Sequence, residues 1–258
     1  MKRIHLPKFL DYIPPIIAFA AAVVAIVGTP KWDGTAVGIA KITPLGWLVL
    51  GIGLMALMAT VLITARNSRE HAQQWQTRER ILATGKAQLL RAVLHTIHPL
   101  SSSFIWRNQC DAPESPADFL HPSRRETLAA LELTSVSPYK DGSFEDIKWH
   151  QMLERAATEG ASRIVTTLQI FSTYFPAEII ETATQFLNCE FLQMRLLRIN
   201  DLVNANTHFN KARPVPFFMV KEDEMHNQSY EEFWMLTASA MTLCGAEVSK
   251  GQPLFGRP

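Results

Sequence analysis

Two long apolar runs, Tyr12–Thr29 and Leu45–Ala65, contain no Asp, Glu, Lys, Arg or His, and they limit what this chain can become more than any motif does. At ~1.5 Å per helical residue the second run spans about 31 Å, close to the ~30 Å hydrocarbon core of a bilayer; the first is slightly shorter. A core helix of a soluble protein normally keeps a polar stripe. Between Leu45 and Ala65 the only polar side chains are Trp47, Thr60 and Thr64, and a threonine can return its hydroxyl to its own helix. The runs therefore predict two transmembrane spans, residues 12–29 and 45–65, joined by a short outer loop, 30–44.

Lys2, Arg3 and Lys8 precede the first run as they would in a signal peptide, but no small-x-small site closes it and Pro30 follows Thr29. An uncleaved anchor is expected. Lys2, Arg3 and Lys8 on one flank and Arg66, Arg69, Arg78 and Arg80 on the other outnumber Lys31 and Lys41 of the loop. By the positive-inside rule both termini face the cytoplasm, with Trp32 and Trp47 near the opposite interface.

The chain has 258 residues and a net charge of +1, so the whole molecule gives no direct evidence for nucleic acid as a partner. Beyond the hairpin, roughly 190 residues remain, enough for one domain with its own core. Cys110, Cys189 and Cys244 are odd in number and lack paired spacing, which fits reduced, half-buried thiols and excludes a disulfide framework or zinc motif. The expected organisation is a cytosolic N-terminus (1–11), a transmembrane hairpin (12–65), a helical stem (66–106) and a helical cytosolic domain (107–258). The fold class is an all-α membrane protein.

From Arg66 the sequence passes without a turn signal into a segment whose apolar residues Trp75, Leu82, Leu89, Val93, Ile97 and Leu100 share one helical face. The second span is thus predicted to continue as a stem, with Gly85 as its weak point. Its early part is basic; Arg66, Arg69, Arg78 and Arg80 are candidate contacts to anionic lipid or to a partner. Pro113, Pro116 and Pro122 mark a loop. Ser123 before Glu126, Ser143 before Asp146 and Ser229 before Glu232 have capping-box spacing, predicting helices from near Arg124, Phe144 and Tyr230. A long helix is expected from Pro176 to about Asn206, with Ile180, Ala183, Leu187, Phe191, Met194, Leu197 and Leu202 on one face, paired antiparallel with the segment 144–175. Residues 214–220 read as a short extended run, a strand or a packed loop.

Catalytic signatures are missing. Gly85-Lys86 has Arg80 where a phosphate loop needs its first glycine and Ala87 where it needs a hydroxyl; there is no dinucleotide turn, G-x-S-x-G elbow or H-E-x-x-H pair. A non-enzymatic protein without cofactor is expected. His95, His98, Pro99 and Ser101 on the stem admit two enzymatic alternatives. His95 and His98, three apart, could share a metal with Cys110 or His121. Alternatively, a membrane hairpin followed by a stem with histidine and proline is similar in layout to a sensor histidine kinase, implying phosphotransfer. Neither histidine is followed by an acidic residue, however, and no ATP-binding boxes follow. Lys221, Glu222, Asp223, Glu224 and His226 read as a solvated turn or a docking surface for a basic partner.

The hairpin lacks the ionisable groups of a pump or transporter, and two spans cannot enclose a pathway. An oligomer could; Ala18 with Ala22, Ala21 with Ala25, and Gly51, Gly53 and Ala56 offer small faces where helices approach closely. This layout resembles that of two-span effectors in bacterial anti-phage systems of the abortive-infection type, retrons included. The resemblance implies a cytosolic domain that binds a protein or nucleoprotein partner and controls oligomerisation of the hairpins or membrane perturbation. The alternative is a membrane scaffold or assembly factor.

Overall fold

The computed structural model describes Ile16, Phe19, Ala20 and residues 44–106, 111, 113–140, 145–209, 215–218 and 224–246. Over these residues the fold is all-α, with one small antiparallel ribbon. The chain divides into two compact units, residues 1–79 and 80–258. One helix, α1 (Pro44–Trp106), runs through both. It is long and apolar enough at its start to cross a membrane, and among the described residues no other helix is.

In the first unit, Ile16, Phe19 and Ala20 are helical. The rest of the first predicted span, the loop up to residue 43 and its Trp32 lie outside the described residues. Along α1, Leu48, Ile52, Met55, Leu62 and Ile63 are exposed. Thr60 donates to the Ala56 carbonyl (2.8 Å) and Ser68 to Thr64 (2.9 Å), the hydroxyl return that lets polar residues sit in an apolar helix.

In the second unit α1 changes character. Leu89, Val93, Ile97, Leu100 and Phe104 are completely buried on the face their spacing predicts, whereas Trp75, assigned to the same face, is exposed. The helix passes through Pro99. A 3-10 turn (Pro116–Leu120) follows, with the Asp118 carboxylate accepting from the Glu114 and Ser115 amides at 2.8 and 2.9 Å. Next come α2 (Pro122–Ala129), β1 (Val136–Lys140), β2 (Asp146–Lys148), α3 (Trp149–Phe171), α4 (Ala177–Asn188), a π-helical turn (Phe191–Leu196), α5 (Ile199–Phe209) and α6 (Glu224–Leu243). An aromatic core joins them. Phe119 stacks on Trp234 at 3.7 Å, Phe191 packs against Phe217, Tyr230 and Phe233, and the Tyr230 hydroxyl donates to the Phe119 carbonyl at 2.8 Å.

Several sequence expectations need correction. The helix expected from Phe144 begins at Trp149, because residues 146–148 pair with β1 and alternate exposed, buried, exposed around Ile147. Its start is secured by Gln151, whose side chain accepts from the Lys148 amide at 3.0 Å; Ser143 lies outside the described residues. Helix α2 starts two residues before Arg124, with His121 at the cap position and Pro122 in its first turn where the missing amide is harmless. Ser229 lies inside α6, which begins at Glu224.

The long helix from Pro176 is interrupted. Cys189 is extended (φ −63°, ψ 143°), and the chain resumes through the π turn, where the Leu197 amide donates to Leu192, five residues back, at 2.9 Å. One extra residue in the turn rotates the apolar face, so Leu192, Leu196 and Ile199 are buried while Met194 is exposed. The pairing changes with it: α3 packs along α5 and the π turn, and α4 lies against α6. The run near Pro214 is a packed extended segment with a single bridge, Glu132 to Pro216, which buries Val215 and Phe217.

Gly85 is a point of close approach in an unbroken helix. A Cβ there would stand 2.8 Å from the Phe175 ring. Gly160 of α3 plays the same part opposite Thr96 and the Ala92 carbonyl, so α1 meets aromatic rings at and just beyond the end of α3 at Gly85 and the α3 backbone itself at Gly160.

Candidate functional site

Two parts of α1 carry the sequence-predicted sites. On the apolar part, a Cβ at Gly51 would meet nothing within 4 Å, and Gly53 and Ala56 lie on the same open helix. Ala18, Ala21, Ala22 and Ala25 fall outside the described residues. Next along α1, Arg66, Arg69, Arg78 and Arg80 are all exposed. Arg66 pairs with Glu70 at 2.9 Å, a solvated contact one helical turn apart.

The second part is a polar seam where α1 lies against α3 and β1. Gly85 meets Phe171 and Phe175 while Thr96 meets Gly160, so the two helices run antiparallel. This register sets His95 opposite Glu159, with Nε2 3.2 Å from Oε2. Glu159 also accepts from Arg155 Nε at 3.0 Å and stands 3.6 Å from Arg163 Nη2. The Arg155 hydrogen bond, with a smaller contribution from His95, holds its carboxyl below the usual range.

His98, one turn further on, turns to β1 instead. Its Nδ1 is 3.5 Å from the Tyr139 hydroxyl and the rings meet edge to face at 6.2 Å. Burial lowers the His98 pKa, and the charge of His95 adds to the effect; burial raises that of Tyr139, opposed by a hydrogen bond with Ser102. The buried hydroxyls of Thr96, Ser102 and Ser103 donate to the Ala92, Pro99 and Leu100 carbonyls of their own helix, which satisfies them where they are buried.

His95 and His98 engage different partners on different elements, and His121 pairs with Ser123 at 2.8 Å. Among the described residues no three His, Cys, Asp or Glu side chains converge as metal ligands. Cys110 and the residues from Lys221 to Asp223 lie outside the described residues, and Glu224 and His226 belong to α6. Burial pushes the Cys189 and Cys244 thiols up to about 11, so both stay protonated near neutral pH.

Sequence reasoning missed Glu159 with its flanking arginines, and the two helix-contact glycines. The signal for the first was present, since Arg155, Glu159 and Arg163 recur at steps of four. Gly160 had no local signal; its role depends on Thr96, distant in sequence. No family model, curated protein or solved structure matches this chain.

Proposed function

We propose that this protein is a non-enzymatic effector or signalling protein of the bacterial inner membrane, anchored by a two-span hairpin with both termini in the cytoplasm. Its helical domain binds a protein or nucleoprotein partner, and partner binding or release alters packing between hairpins of an oligomer and perturbs the bilayer, as in abortive-infection defence. The observation that carries the reading is the first part of α1: an apolar stretch whose large side chains Leu48, Ile52, Met55, Met58 and Leu62 are exposed, continuous with a helix that packs into the helical domain further on. Such a surface is costly in water and stable in lipid. The open face at Gly51 supports close approach by another hairpin.

The test is membrane potential after induced expression, with the protein first located by extraction of membranes at high pH. Depolarisation by the natural sequence, lost when Gly51 and Gly53 are changed to leucine, is expected. A protein that stays in the membrane but leaves the potential unchanged under every trigger would instead be a scaffold. Release into the supernatant would remove the membrane reading altogether.

A further inference from the structure

The α1–α3 seam holds more cationic capacity than its single carboxylate uses. In the antiparallel register, Arg91 lies one turn before His95 and Arg163 one turn after Glu159, so the two arginines stand at the same level of neighbouring helices. Arg155 extends the group one turn the other way. Arg91, Arg155 and Arg163 are exposed, and among the described residues Arg91 makes no ion pair. Each guanidinium has five donors; Arg155 commits Nε to Glu159, and Arg163 remains beyond hydrogen-bond distance.

We infer that this seam is a docking face for an acidic segment of a partner protein, with Arg91, His95, Arg155 and Arg163 as its lining and Glu159 as the resident carboxylate that the segment displaces. Glu159 demonstrates the fit, since a carboxylate already sits among these groups. Planar guanidinium groups pair carboxylates in a fixed geometry that a diffuse positive surface lacks. The surrounding charge favours a short acidic segment over a long polyanion. Residues 80–258 carry 17 Lys and Arg against 20 Asp and Glu, so a nucleic acid strand extending past the seam would meet net negative charge. That repulsion acts over about 10 Å at 0.1 M salt.

This inference rests on the partner-binding half of the proposed function and not on the membrane half. The probe is a fluorescent ten-residue glutamate peptide, titrated by anisotropy against the full chain in uncharged detergent. Saturable binding that weakens with salt is expected. Combined Arg91→Glu and Arg163→Glu should weaken it at least tenfold, and Glu159→Gln should strengthen it several-fold by removing the internal competitor. Arg198→Glu, at an exposed arginine outside the seam, should leave it unchanged; circular dichroism checks that each variant is folded. No saturable binding, equal binding by the reversed variant, or tighter binding of an oligodeoxynucleotide or phosphatidylserine vesicles would overturn the proposal. Depolarisation retained without peptide binding removes only the docking face, and peptide binding without depolarisation removes only the membrane effect.

Discussion

The two ends of α1 obey opposite rules although they belong to one continuous helix. From Trp47 to about Arg80 most of its described side chains are exposed and the rest half-buried, apolar first and basic afterwards; from Leu89 to Phe104 one face is fully buried and the Thr96, Ser102 and Ser103 hydroxyls donate to carbonyls of the helix itself. Helical periodicity is common to both. The difference lies in what surrounds them, a protein core in one case and solvent or the proposed bilayer in the other. Helix formation therefore says little about which surface a residue serves.

The sharpest way to break this comparison is truncation of matched isoleucines. Ile97→Ala removes a completely buried side chain and should lower the stability of the helical domain by about 2–5 kcal/mol, read by denaturant unfolding in detergent. Ile52→Ala, at a position 62 % exposed, should leave that transition in place. Equal effects would mean that the apolar end is packed against the domain.

Glycines give the next largest contrast. Gly160→Ala places a methyl 2.0 Å from the Thr96 hydroxyl and should cost roughly 1–3 kcal/mol through overpacking, with part of the loss recovered by Thr96→Ala. Gly85→Ala should behave likewise against the Phe175 ring. At Gly51 the same change meets open space and should be neutral or favourable for the helix by up to about 1 kcal/mol. Thermal unfolding of the three variants side by side checks the order.

A smaller effect distinguishes the histidine seam. Burial lowers the His98 pKa, so the folded state binds fewer protons than the unfolded chain once pH drops below the ordinary histidine value of 6.5. Stability from neutral His98 is fully present above that value and is lost as pH falls from 6.5 toward the folded pKa. His98→Gln should flatten this part of the denaturation-midpoint profile. Glu159 acts in a lower window: its depressed pKa contributes stability above about 4.5 that disappears on further acidification. The smallest change is Glu70→Ala at the exposed Arg66 pair, expected to alter helicity by no more than about 0.5 kcal/mol.

How much could be read from the chain differs by kind of feature. The stem face from Leu89 to Leu100 was readable because its spacing repeats with the helix and its neighbours in sequence suffice to define it. The break at Cys189 was not. Ile180, Ala183, Leu187 and Phe191 follow helical steps straight through it, and only the packing of Phe191 among Phe217, Tyr230 and Phe233 accompanies the extra residue in the turn. The strand at 146–148 was hidden for a similar reason, as three alternating residues become a strand only when β1 lies beside them. For the seam, the repeat Arg155, Glu159, Arg163 was visible, but its alignment with His95 depended on Gly160.

The amino-acid order alone settled that α1 is helical and that its beginning is too apolar to favour water, since both follow from local backbone preference and summed side-chain transfer. Tertiary structure decided where helices stop, which faces are covered and which charges meet. Those outcomes depend on contacts between residues far apart in the chain, where a missing Cβ or one additional residue in a turn shifts every neighbour that follows.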